Sequence, residues 1–130
     1  MKTRTDPRHK KRIRRFKKLF SYSFIRNEPE VDLGIEKVVS KLKKIDAFIQ
    51  EAAPEWPVDR LNKVDLAILR LSVYELLIVR KTPPKVVIDE AVEIGKEYGS
   101  ESTAKFVNGV LGALLEKHRQ DSEKPVAKTE

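Results

Sequence analysis

The stretch that most constrains this chain is Leu66-Ala67-Ile68-Leu69-Arg70-Leu71-Ser72-Val73-Tyr74-Glu75-Leu76-Leu77-Ile78-Val79, in which only Arg70 and Glu75 carry charge. It is shorter than the roughly 20 residues that cross a bilayer. It is also apolar on nearly every side, so a helix made from it must be enclosed by other helices. Arg70 and Glu75 then need partners in the interior, and a structural pair with each other is the expectation.

The remaining elements follow from periodicity. Asp6-Pro7 reads as a carboxylate N-cap followed by the one helical position that suits proline. In the helix it opens, Ile13, Phe16, Phe20 and Phe24 fall within one arc and are expected to be buried. A second helix is expected from about Asp32 to Ala53, with Ile35, Val38, Val39, Leu42, Ile45 and Ile49 inward. Pro54 and Pro57 bracket Trp56 and force a turn before a third helix, from about Pro57 to Val79. Thr82-Pro83-Pro84 closes it.

A fourth helix runs to about Tyr98, with Val86, Val87, Ala91 and Ile94 inward and Asp89, Glu90, Glu93 and Glu97 on a solvated face. Gly99 is the expected C-terminal cap. The last helix, from about Glu101 to His118, presents Phe106, Val107, Val110, Leu111, Leu114 and Leu115. Gly109 and Gly112 inside it each cost about 1 kcal/mol against alanine, and close approach of a neighbouring helix is the expected reason. Asn108 is expected to satisfy a buried backbone group. The sum is an all-α domain over residues 7–119 with about five main helices, preceded by a basic disordered start (residues 1–6) and followed by a disordered tail (residues 120–130).

Charge is distributed very unevenly. Ten of the first eighteen residues are lysine or arginine against the single acid Asp6, a local balance of +9 where the whole chain carries +7. Everything after residue 18 is therefore net acidic. Placing Arg8, Lys10 and Lys11 in the first turn sets cations against the positive end of the helix dipole. A helix shaped only for its own stability would place acids there. Concentrated basic charge on a near-neutral body is the footprint of a surface for polyanions.

Several chemistries find no support. The chain has no cysteine, hence no disulfide framework, thiolate metal site or cysteine nucleophile, which suits a reducing cytoplasm. His9 and His118 have no partners at metal-ligand or triad spacing, and no glycine loop of the phosphate-cradling kind occurs. Neither an enzyme activity nor a cofactor or metal is expected.

Three stretches together resemble the NusB transcription antitermination factors: Val64-Asp65-Leu66-Ala67-Ile68-Leu69-Arg70-Leu71-Ser72-Val73-Tyr74-Glu75-Leu76, Pro84-Lys85-Val86-Val87-Ile88-Asp89-Glu90-Ala91-Val92-Glu93-Ile94-Gly95-Lys96, and Phe106-Val107-Asn108-Gly109-Val110-Leu111. With Trp56 and the basic start ending in Leu19-Phe20, the likeness covers most of residues 8–116. It implies two packed helical bundles and no catalysis. It also implies binding of boxA-like single-stranded RNA together with the small-subunit ribosomal protein NusE. Other Nus factors and RNA polymerase would be engaged indirectly, with no role for a membrane, to suppress termination in ribosomal RNA transcription.

Position by position, the resemblance implies RNA contacts at Arg8, Lys10, Lys11, Arg12, Arg15 and Lys17. Lys18 lies on the same basic arc. A further basic contact is implied at Lys85, and a continuation of the RNA surface at Ser102 and Phe106. Asp65 matches an acid that faces NusE. The likeness is incomplete in two respects. Family members carry a longer stretch, often with an extra helix, where residues 25–55 separate Phe24 from Trp56 here, so a bundle shortened in its N-terminal half is expected. Gly112 also stands where an aspartate is usual.

The sequence allows Phe106 two readings: core packing with Val110 and Leu114, or stacking on an unpaired base. Tyr22, on the basic arc, is a lesser stacking candidate. Two other functions compete with RNA binding. A NusB-fold module that has lost specific RNA binding would serve protein interaction alone. A basic amphipathic helix could instead lie on an anionic membrane surface.

Overall fold

A computed structural model describes residues 6–24 and 34–118. Six helices run in the order α1 (Pro7–Tyr22), α2 (Glu36–Val39), α3 (Leu42–Ala52), α4 (Lys63–Val73, continued by a wide π turn over Tyr74–Val79), α5 (Pro84–Tyr98) and α6 (Glu101–Lys117), with a 3-10 turn at Val58–Arg60. No strand occurs among the described residues, and the all-α expectation holds. Of the ends expected to be disordered, residues 1–5 and 120–130 lie outside the described residues, while Asp6 is described as the N-cap of α1.

The apolar run does become the centre. Leu66, Ala67, Ile68, Leu69, Leu71, Val73 and Leu76 are buried, and α1, α3, α5 and α6 all pack against α4. The π turn ends at Arg80, whose φ of 56° is left-handed, the role glycine usually fills after a helix. Arg80 N–H donates to the Glu75 carbonyl at 3.1 Å. Asn62 caps the helix by accepting from the N–H groups of Val64 (2.8 Å) and Asp65 (3.3 Å).

Two boundaries differ from the sequence expectation. The second helix is interrupted at Ser40 and Lys41, where the Ser40 hydroxyl donates to the Lys37 carbonyl (2.7 Å) and competes with the helical pattern. The third starts at Lys63 and not at Pro57, because Gln50 holds the intervening loop. Its amide donates to the carbonyls of Ala53 (3.1 Å) and Trp56 (2.8 Å), and its oxygen accepts from Val58 N–H (3.2 Å).

The glycine expectation also requires correction. A Cβ on Gly109 or Gly112 would meet nothing within 4 Å, and Asn108 beside them is exposed. The close helix approach lies elsewhere. A Cβ on Gly95 would lie 3.3 Å from the Ala104 backbone, and one on Gly99 would lie 2.5 Å from the Thr103 hydroxyl. These two glycines let α5 and α6 pack tightly around their short connection.

Gly109→Ala and Gly112→Ala should therefore each stabilise the fold, by about 0.5–1 kcal/mol. Gly95→Ala should destabilise it. Urea unfolding of the three single variants checks the contrast; a loss of stability at Gly109 would show that something packs on that face.

Candidate nucleic-acid interface

The first helix presents two faces of different chemistry. Asp6 caps it, accepting from Arg8 N–H at 2.9 Å, and Pro7 takes the first position. The Asp6 carboxylate also pairs with the exposed Arg8 guanidinium at 3.3 Å, which holds its pKa below the ordinary value. The inner face carries Phe16 and Leu19, both buried, with Ile13 and Phe20 half-buried. Phe24 departs from the expected stripe: the helix ends at Tyr22, and Phe24 is 59% exposed, edge-on to Phe20 with ring centroids 5.0 Å apart.

The basic residues do not all face outward. Arg12 lies inward and forks onto Glu75, Nε to Oε2 at 2.9 Å and Nη2 to Oε1 at 2.7 Å, with 14% and 13% of the two side chains exposed. This bond keeps Arg12 more firmly charged than usual, against the opposing effect of burial. Beside it His9 is 4% exposed and its Nδ1 lies 2.8 Å from Glu90 Oε1. Glu90 is itself 3% exposed and lies 3.7 Å from Arg12 Nη1. Glu75 thus pairs with Arg12 rather than with Arg70, which forks onto Asp46 of α3 at 3.0 and 2.8 Å. Glu90 leaves the solvated face expected for it, whereas Asp89, Glu93 and Glu97 keep partial or full exposure.

Among the other candidates, Arg15 and Lys18 differ from the outermost cations: Lys18 is half-buried, and Arg15 Nε is buried without a hydrogen-bond partner among the described residues. Arg8, Lys10, Lys11 and Lys17 are exposed. The Lys17 ammonium sits 5.3 Å from the centroid of the Tyr98 ring. Lys85 is exposed at the start of α5 and pairs with Asp89 one turn on, at 3.3 Å. Tyr22 turns to the other side, half-buried in a cleft with Asp46, Val58, Lys63 and Arg70.

Ser102 and Phe106 lie in the first part of α6, whose cap is the Ser100 hydroxyl, accepting from Thr103 N–H at 3.3 Å. Ser102 is exposed, its hydroxyl 3.0 Å from that of Ser100. Phe106 is half-buried and lines a cleft of about 260 Å³ with Trp56, Arg60, Leu61, Asn62 and Asp65. Trp56 is 57% exposed. Burial pushes the Asp65 carboxyl above its ordinary pKa, a Thr103 hydrogen bond opposing it. Asp65 Oδ1 is buried with no hydrogen-bond partner among the described residues.

Among the described residues no cluster of histidines and acids could hold a metal ion, and no helix is long and apolar enough to cross a membrane. Charge alone does not reveal the inward turn of His9 and Arg12. The signal that does is spacing: His9 stands seven residues and Arg12 four residues before Phe16, and both spacings share its face.

Comparison with known proteins gives a consistent result. The NusB family profile matches residues 7–116. The transcription antitermination protein NusB of Chloroflexus aggregans is 51% identical over 81 residues, covering 61% of this chain and 54% of that protein. The chain spans little more than half the length of the first curated relatives it matches. Among solved structures, T. maritima NusB is 34% identical with a TM-score of 0.79, covering 95% of this chain and all of that one. A chain in the structure described as "Crystal Structure of a Plectonemic RNA Supercoil" is 26% identical with a TM-score of 0.75, covering 86% and 96%.

The internal role of Glu75 can be tested by stability alone. Glu75→Ala strands the Arg12 charge and should cost about 3–5 kcal/mol. Pairing it with Arg12→Met should return most of that loss. Chemical unfolding of the single and double variants measures the difference; a Glu75→Ala protein as stable as the parent would refute the brace.

Proposed function

Because the chain belongs to the NusB family of transcription antitermination factors, we propose that it is a non-enzymatic protein of the cytoplasm that binds boxA-like single-stranded RNA and so opposes termination of ribosomal RNA transcription. The observation that carries this reading is the sorting of cations on α1. Arg12 is fixed inward by Glu75, while Arg8, Lys10, Lys11, Arg14 and Lys17 are exposed. Exposed cations at this density supply phosphate contacts, and phosphate contacts position a strand without reading it.

Readout of single-stranded RNA comes from stacking and hydrogen bonds to splayed bases. Ser102 and Phe106 provide one group of each kind, and Lys85 extends the charge. Arg12, Arg15 and Lys18 are more enclosed, and their positions suit bracing and field more than direct contact. The half-buried Phe106 ring lines the cleft with Trp56 and keeps part of its surface accessible to a base. The partner half of the proposal is that NusE docks at Asp65, and other Nus factors and RNA polymerase join through that complex. An acid whose ionisation is disfavoured by burial, with one oxygen unmatched, gains from a cation delivered by a basic ribosomal protein. Family membership weighs against the reading as a pure protein-interaction module.

Replacing Arg8, Lys10, Lys11 and Lys17 together by glutamine should weaken binding of boxA-like RNA and leave the fold intact. The log–log salt dependence should flatten by roughly 0.7 for each phosphate that is no longer neutralised. Fluorescence anisotropy over a salt series measures both quantities, with scrambled RNA as the specificity control. Unchanged affinity and slope in the quadruple variant would overturn the RNA reading. Equal binding of boxA-like and scrambled RNA by the parent would favour the interaction module.

A further inference from the structure

Tyr98 closes α5 one residue before the Gly99 turn and is 36% exposed. Its ring is backed by the buried Phe16, centroids 5.3 Å apart and tilted by 46°. The Lys17 ammonium lies over the ring at 5.3 Å from its centroid. Tyr98 thus stands between Lys17 of α1 and the start of α6, where Ser100 and Ser102 follow within four residues. It is a partly exposed aromatic ring held against a buried ring and carrying a cation, at the junction of the two surfaces.

We propose that Tyr98 is a base-stacking platform of the RNA site, and that Lys17 exchanges its place on the ring for a phosphate when RNA binds. The proposal rests on the RNA-binding reading above and assigns it a residue that neither the basic helix nor the start of α6 supplies. The physical case is a comparison of the two occupants. An exposed ammonium over a ring is held weakly, whereas a nucleobase stacked on an aromatic side chain is held more strongly and without regard to sequence. The displaced ammonium does not return to water alone. A strand whose base lies on Tyr98 carries its phosphate alongside, within reach of the flexible lysine stem, so both groups end with a better partner. Phe16 contributes by holding the ring in place, so little freedom is given up on binding.

The test uses the full chain and a labelled boxA-like single-stranded RNA in anisotropy titrations at several salt concentrations. Tyr98→Leu keeps an apolar cover over Phe16 and removes the π face. It should lower affinity by about 5- to 150-fold while leaving the salt slope unchanged, because stacking releases no counterions. Tyr98→Phe and Tyr98→Trp should bind like the parent. Lys17→Gln should instead flatten the slope by roughly 0.7. Parent-like affinity in a Tyr98→Leu protein that melts cooperatively would overturn the stacking role and leave the RNA reading standing. A parent chain that fails to bind the RNA at all would overturn both. A flattened slope in Tyr98→Leu would also refute the exchange, since it would assign the weaker binding to charge.

Discussion

Two nitrogens of Arg12 on the two carboxylate oxygens of Glu75 fix how the first helix lies along the central one, and the presentation of the basic face follows from that contact. Burial of two charges is favourable only when geometry is good and the remaining polar atoms are satisfied. Both conditions are approached here: the contact is bidentate, and Glu90 brings a second carboxylate to 3.7 Å. His9, buried against Glu90, adds a tie between α1 and α5 one turn earlier. A helix carrying so many like charges in its first turns would otherwise be poorly held to an apolar core. The inner pairings offset that repulsion and orient the outer cations to solvent.

The second determinant of the site is the turn between α5 and α6. Gly95 and Gly99 admit Thr103 and Ala104 at distances that crowd any side chain. This sets the start of α6 beside the end of α5, whose Tyr98 meets Phe16 of α1. The same packing places Thr103 against Asp65 on the central helix, so the start of α6 is registered on α4 as well. Charge from α1, an aromatic ring from α5 and the polar start of α6 therefore converge because two glycines permit a close helix pair.

Much of this is legible in the sequence, for local reasons. Asp6-Pro7 predicts its helix start because capping depends on adjacent residues, and Leu66–Val79 predicts a central position because no face of it tolerates water. The partners of buried charges are not legible. Arg70 and Glu75 lie close together in sequence, yet each bonds a residue from another helix, Asp46 and Arg12, and only tertiary packing selects those. Glu90, three residues after Val87 and four before Ile94, shares their inner face by spacing, but its charge groups it with the exposed acids, and nothing within α5 announces the histidine arriving from α1. Gly109 and Gly112 suggest packing positions because a glycine inside a helix asks for a reason. The structure supplies that reason at Gly95 and Gly99 instead. Phe24 continues the core stripe on paper because a periodic pattern carries no mark of where the helix ends. At the site, the sequence points to the outward cations and to Phe106. It does not point to Tyr98, because stacking on Phe16 and the approach of Lys17 arise only when α1 and α5 lie side by side.

The central claim is a division of labour on α1, with Arg12 bracing the fold and the outward cations meeting RNA. The most direct measurement is the salt dependence of boxA-like RNA binding by a variant carrying Arg12→Met and Glu75→Leu together, which removes the brace charges as a pair. If Arg12 touches no phosphate, the log–log slope should equal that of the parent. A slope flatter by roughly 0.7, the contribution of one phosphate contact, would contradict the account and place Arg12 on the RNA.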